Sequence, residues 1–290
     1  MMCSFKKLIL VASVSLLFPL PVAAEEDYDL INNKFKVYAG GFWATNINSK
    51  ININGDVLPP GDPISVEETL NLDGSDGVAW GGIRWRISQR NSLEFEGFSL
   101  KREGGESGTF TPPIQIGDTF IESGAIGTSF DTSMYRLTYG FSLHRTERMD
   151  LQVKAGLHLA DLESGLVLSG NICNPTTVPT TPPGCPAETT GAETADVTAP
   201  LPHFGLSYAY AISPTVAVNL EVIGFAIEID SIDGSILELD ADLVWKPFKN
   251  FGGGIGVRYF NTNIKSKGSN LNGEFDFEYF GPVAYILATF

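Results

Sequence analysis

The sequence predicts an all-β chain closed into an antiparallel transmembrane β-barrel of ten strands, with eight or twelve as the alternatives. Three observations carry that prediction. Segment after segment alternates apolar and polar residues with period 2, the signature of strands with two unlike faces. Beyond the first 24 residues no apolar stretch approaches the roughly 20 that a membrane helix needs, the nearest being Val216 to Ile229, which holds Asn219, Glu221 and Glu228. Short turns at 89–91, 145–148, 212–214 and 246–250 recur, with the longer connections mainly at the opposite end of the strands.

Residues 1–24 read as a secretory signal peptide. Lys6 and Lys7 precede the apolar run Leu8 to Leu20, and Val22-Ala23-Ala24 offers a small-residue cleavage site before Glu25. Cys3 lies ahead of the apolar run, which argues against a lipoprotein anchor. Residues 25–290 then form the barrel domain. They retain 17 Lys+Arg against 34 Asp+Glu, a net charge of about −17 that makes nucleic acid a poor partner. The 31 glycines and 19 phenylalanines suit a closed sheet with an apolar outer band.

A first strand runs from Lys34 to Thr45, and Asn46 to Asp76 reads as a long polar loop. From Val78 to Ser88 an apolar face of Ala79, Gly81, Ile83, Trp85 and Ile87 alternates with Trp80, Gly82, Arg84 and Arg86. A turn at 89–91 leads back along Leu93, Phe95 and Gly97, with Glu94 and Glu96 between them. A hairpin centred on Arg90 sets Arg86 opposite Glu94 and Arg84 opposite Glu96, pairs worth about 0.2–1 kcal/mol each. Glu103 to Gly127 is Gly- and Pro-rich, and Ile114 to Ile121 within it is a candidate extra hairpin.

Tyr135, Leu137, Tyr139 and Phe141 define the outer face of Ser129–Leu143, with Arg136 and Thr138 inside. A charged turn at 145–148 opens Asp150–Leu168, where Lys154 and His158 sit on the polar face. Cys173 and Cys185 flank a Pro- and Thr-rich stretch, and in an oxidising compartment they are expected to close it as a disulfide, in a connection running to about Ala199. Leu201–Ala211 presents Phe204, Leu206, Tyr208 and Tyr210 against His203 and Ser207. Ser213-Pro214 turns the chain into Val216 to Val222, and Asp233-Gly234 is a hairpin signal. Leu237 to Trp245 alternates with Glu238, Asp240 and Asp242, and Pro247–Asn250 turns into the final pair of strands.

That pair ends on Phe290. In its last strand Phe275, Phe277 and Tyr279 share one parity while Glu274, Asp276, Glu278 and Phe290 share the other. Lipid-facing placement of both aromatic sets requires a face switch, which is expected as a β-bulge at Gly281-Pro282. Ala284, Ile286, Ala288 and Phe290 then face lipid, and the acidic trio faces the lumen.

A strand that closes the chain on Phe, short turns at 89–91, 145–148, 212–214 and 246–250, and flanking aromatics such as Trp85, Tyr139, Tyr210 and Trp245 resemble the small to mid-sized outer-membrane β-barrels of Gram-negative bacteria. The resemblance implies short periplasmic turns, long outer loops, an outer-membrane location and a terminal strand read by the barrel-assembly machinery. Its partners are outer-membrane lipids and lipopolysaccharide, and a monomer is expected. In this setting the polar parities collect a lumenal charge network of Arg84, Arg86, Arg136, Lys154 and Arg258 against Glu94, Glu96, Glu221, Glu238, Asp240 and Asp242, with Arg258 opposite Glu238.

Size and strand count are similar to those of the omptin proteases, whose site combines an Asp pair with an Asp–His pair at the outer rim. Here Asp240 and Asp242 flank Ala241 as an Asp-X-Asp, but no His lies two residues from any Asp. His144 falls near the short turns, and His158 and His203 are lumenal. Ser207 is four residues from His203, about 13 Å along a strand, and meets His158 only under a favourable register. No catalytic residue, cofactor or metal site is assigned, since Asn71 to Gly77 lacks the ligand spacing of a calcium loop. The expectation is a non-enzymatic barrel whose loops contact the environment or lipopolysaccharide, with a narrow porin-like channel and an outer-membrane hydrolase as the alternatives.

Overall fold

The computed structural model describes residues 29–53, 64–65, 76–116, 119–173, 189–229, 232–267 and 272–290. After a four-residue helix α1 (Asp29–Asn32) come β1 (Phe35–Ile53), the two-residue β2 (Ile64–Ser65), β3 (Asp76–Arg86), β4 (Asn91–Ile116) and β5 (Thr119–Arg145). They are followed by β6 (Met149–Cys173), β7 (Thr189–Ser213), β8 (Val216–Ile229), β9 (Ile232–Trp245), β10 (Phe251–Lys267) and β11 (Asn272–Thr289). Each long strand pairs antiparallel with its neighbours in sequence order, and β1 pairs with β11. Ten strands thus close a barrel, with β2 attached to β1.

Closure is tight at the short-turn end. The Phe35 amide donates to the Phe290 carbonyl at 2.9 Å, and the Phe290 amide returns a 2.9 Å bond to the Phe35 carbonyl. Outward residues form the apolar belt that a transmembrane barrel turns to lipid: Ile83, Leu137, Leu206, Leu239, Ile255 and Ile286 are all exposed. Trp85, Tyr139, Tyr210, Trp245 and Phe251 are likewise exposed beside the short turns, and Phe35 stacks on Trp85 at 5.9 Å.

Several expected boundaries move. β1 continues to Ile53 and β7 starts at Thr189, so strand structure occupies the ends of two stretches read as loops. Ile114 pairs with Ile121 and Ile116 with Thr119, making that segment the tip of the β4–β5 hairpin rather than an extra pair of wall strands. Ile229 pairs with Ile232, so Asp233-Gly234 lies within β9. The signal-peptide residues and Cys185 lie outside the described residues, and the disulfide expectation falls there with them.

The expected bulge at Gly281-Pro282 is not present. β11 pairs without a break against β10, Arg258 with Gly281 and Val257 with Pro282. The face switch occurs instead in β1, where the register against β11 shifts between Thr45 and Asn48 and inward-facing Ala44 is followed by inward-facing Ile47. β11 needs no switch because its aromatic parity points inward: Phe277 and Tyr279 are fully buried, whereas Phe280 and Ile286 are exposed. Asp276 and Glu278 consequently face outward on the rim and do not join the lumenal charge.

Strand lengths shape the far end. β4 to β7 have 25–27 residues, about 85 Å at about 3.4 Å per residue, where a bilayer crossing takes about 9–11. β10, β11 and β1 have 17–19, while β3 has 11 and β8 and β9 have 14 each. The short strands leave two taller blades, β4–β7 and β10–β11–β1, rising from opposite sides of the barrel.

Candidate functional site: the lumen

Three layers fill the barrel. At the short-turn end Leu30 and Ile31 of α1 are buried among core residues that include Val244 and Leu287. Arg86 ties the helix to the wall, its guanidinium lying 2.6 Å from Asp150 Oδ2 and 3.4 Å from the Ile31 carbonyl. Asn32 adds a 2.7 Å bond from Arg145 and donates to the Glu147 carbonyl at 3.1 Å.

The middle layer is ionic. Arg136 of β5 reaches Glu96 at 2.7 Å, Glu221 at 2.8 Å and Glu238 at 3.0 Å, three carboxylates on three other strands. Lys154 of β6 bonds Glu94 at 2.9 Å and also contacts Glu221. Arg258 of β10 holds Asp240 at 2.6 Å, with Glu238 at 3.5 Å and Glu96 at 3.8 Å. Tyr38 places its hydroxyl 2.9 Å from Glu94 and 2.7 Å from Glu96. Asp242 meets the Tyr285 hydroxyl at 3.5 Å. Burying these charges is tolerable only because each carboxylate meets a cation or a hydroxyl.

Above it, Phe42 stacks on Tyr279 at 4.8 Å and Tyr279 on Phe260 at 5.4 Å, while Phe98 meets Phe42 edge-on at 5.3 Å. Phe277 and Phe130 continue the cluster at 6.3 Å. Sequence reasoning misses this aromatic layer. Period 2 separates two faces but does not say which is lipid, and Phe suits either.

All eleven predicted network residues project from the inward parity, yet all three expected facing pairs differ. The β3–β4 hairpin is centred on Gln89, so Arg84 faces Glu94 while Arg86 faces Ser92 and takes Asp150 as its partner. The Ser88 hydroxyl accepts amide bonds from Arg90 and Asn91, drawing Ser88 into the turn. Likewise the β9–β10 hairpin is centred on Lys249, pairing Arg258 with Asp240 and Phe260 with Glu238. Tyr38, Lys36, Trp80, Asp150 and Tyr285 also belong to the inner face, and inward parity within β1, β3, β6 and β11 is the signal that marks them.

The histidines sit low or deep. His144 is exposed near the short-turn end. His158 and His203 are buried with ring centroids 4.6 Å apart; His158 lies 3.4 Å from Glu238 and His203 Nε2 3.1 Å from the Thr138 hydroxyl. Ser207 pairs with Gln152, six residues from His158 and thus about 20 Å along the strand, so the register rules out a Ser–His dyad there. Within the ionic layer lies an 80 Å³ cavity lined in part by Tyr38, Glu94, Lys154 and Ser207, room for a few waters.

No protein-family model matches the chain, and no curated protein matches it in sequence. Solved structures do match. The outer membrane protease OmpT from Escherichia coli superposes with a TM-score of 0.53 at 10% identity, covering 88% of this chain and 97% of that one. The chain has the fold of an outer-membrane β-barrel protein. Looser superpositions are found with the transport unit of the autotransporter AIDA-I from Escherichia coli, TM-score 0.43, 7% identity and 94% and 93% coverage, and the P. putida toluene transporter TodX, TM-score 0.38, 10% identity and 91% and 94% coverage. At these identities the likeness concerns the fold alone.

Proposed function

We propose that the protein is an integral outer-membrane barrel with a sealed lumen, working as a non-enzymatic surface platform. The observation that carries this reading is the filled interior: α1, the ionic layer and the aromatic layer occupy successive levels of one barrel. The short turns then face the periplasm, and the two blades carry the outer connections away from the membrane, where they meet lipopolysaccharide or the environment. Cys173 and Cys185 close one of those connections in this reading, and the strand ending at Phe290 is the one the assembly machinery reads. The apolar belt and the paired terminal strands support a monomer held in lipid.

Labelling of intact cells tests the orientation. A membrane-impermeant maleimide is expected to modify Lys101→Cys, on the exposed face of β4, and to modify Arg90→Cys only after the cells are opened. The reverse pattern, or equal labelling of both, contradicts the platform reading.

A further inference from the structure

The outer wall is not uniformly convex. Across β3, β1, β11, β10, β9 and β8 a groove of about 970 Å³ opens outward. Its outward residues are small or short: Gly41, Ala79, Ala241, Pro282 and Ala284, bordered by Trp43, Leu243 and Ile255. Bulkier outward residues on the same strands, Val37, Ile83 and Ile286, stand exposed beyond it, so side-chain size makes the dent. Six strands define five spacings of about 4.8 Å, which makes the groove about 24 Å long, the scale of a lipid tail laid across the strands.

Charge around the groove selects the lipid. Its β8–β10 end opens above the turn that joins β9 to β10, where Lys249 is exposed between Phe248 and Phe251. On and beside the short connections, Arg90, Arg145, Arg148 and Lys249 stand against Glu147 and the buried, Arg86-paired Asp150 among the described residues, a cationic rim on an acidic chain with Lys249 at the groove's end. At the opposite end the outward residues beyond Phe280 and Tyr259 turn polar or acidic, including Thr45, Asn261, Asp276 and Glu278, a poor match for a phosphorylated saccharide. We infer that the groove seats the acyl tail of a phospholipid from the leaflet at the short-turn end, with the lipid phosphate against Lys249. This inference rests on the membrane-barrel reading and adds a specific lipid site to it.

The test uses the full chain in phosphatidylethanolamine vesicles containing phosphatidylglycerol with a photoreactive diazirine tail, with cross-links mapped by mass spectrometry. Cross-links are expected on 41–43, 241–243, 255–257 and 282–284 at about ten times the frequency on the opposite outward wall at 153–157 and 204–206, the ratio given by about 1.4 kcal/mol of preferential seating. Ala284→Trp, which fills the groove, and Lys249→Glu, on the exposed β9–β10 turn outside the strand ladder, should each reduce that excess several-fold, while Ala155→Trp leaves it intact. Equal labelling around the belt would overturn the lipid site and leave the barrel in the membrane. Displacement of the groove cross-links by lipopolysaccharide but not by unlabelled phosphatidylglycerol would overturn the choice of lipid. No belt labelling at all would sink both the site and the membrane reading.

Discussion

Arg136 on β5 and Glu238 on β9 bridge the lumen, Nη1 to Oε2 at 3.0 Å, between strands that are not neighbours in the wall. The pair joins opposite sides of the barrel through a guanidinium that also holds Glu96 and Glu221. Width, charge and strand order therefore meet at one side chain.

Replacing that side chain should be costly. Arg136→Ala leaves three buried carboxylates without their shared cation, and breaking a buried pair of this kind costs about 3–5 kcal/mol. Arg136→Lys should recover little, because a single ammonium lacks the planar fork that meets carboxylates on β4, β8 and β9 together. Urea unfolding in detergent micelles, followed by the heat-dependent gel shift, measures both. Lys101→Ala, which removes an exposed 2.8 Å pair with Asp131, should leave the midpoint unchanged.

The aromatic layer predicts a contrast between neighbouring phenylalanines. Phe260 is buried against Tyr279 and Phe277, so Phe260→Ala should cost about 3–5 kcal/mol. Phe280 points outward at 45% exposure, and Phe280→Ala should change stability far less in the same assay. Similar losses at both positions would place Phe280 inside and undo the regular β11.

Gly254 and Tyr285 are expected to couple. A Cβ on Gly254 would run into the Tyr285 ring, which lines the lumen beside Trp80 and Tyr38. Gly254→Val should therefore destabilise the native protein, and the added loss should shrink when Tyr285 is already Ala. Additive losses in the double-mutant cycle would contradict that contact.

Ile31 is buried at 3% exposure on the four-residue α1, packed in the apolar core cluster, where a carboxylate would lose its hydration. Ile31→Asp should release the helix while the strand ladder stays closed. Limited proteolysis from the short-turn side should then cut the N-terminal segment faster, with little change in the gel shift of the barrel.

How far the sequence carries this picture depends on how unlike the two faces of a strand are. Arg84, Arg86 and Glu94, alternating with Ile83, Trp85 and Phe95, mark inside and outside without ambiguity, because charge is excluded from lipid. Register is less legible. Ser88 folds its hydroxyl into the turn and moves the hairpin centre by one residue, which shifts every facing pair by two while keeping the parity. β11 misleads for the opposite reason: Phe277 and Tyr279 suit lipid as well as they suit an aromatic lumen, and only the partners on β1, β4 and β10 distinguish the two. The blades are hidden because strands above the membrane need no apolar outer face, as the outward residues Lys101, Glu103 and Asp161 illustrate.

Planar-bilayer conductance of the purified full chain tests the sealed lumen most directly. The account predicts a silent bilayer after insertion, verified by protease protection of the barrel, because α1, the Arg136 network and the aromatic layer each close the path. A steady, reproducible single-channel conductance from the wild-type protein would contradict it.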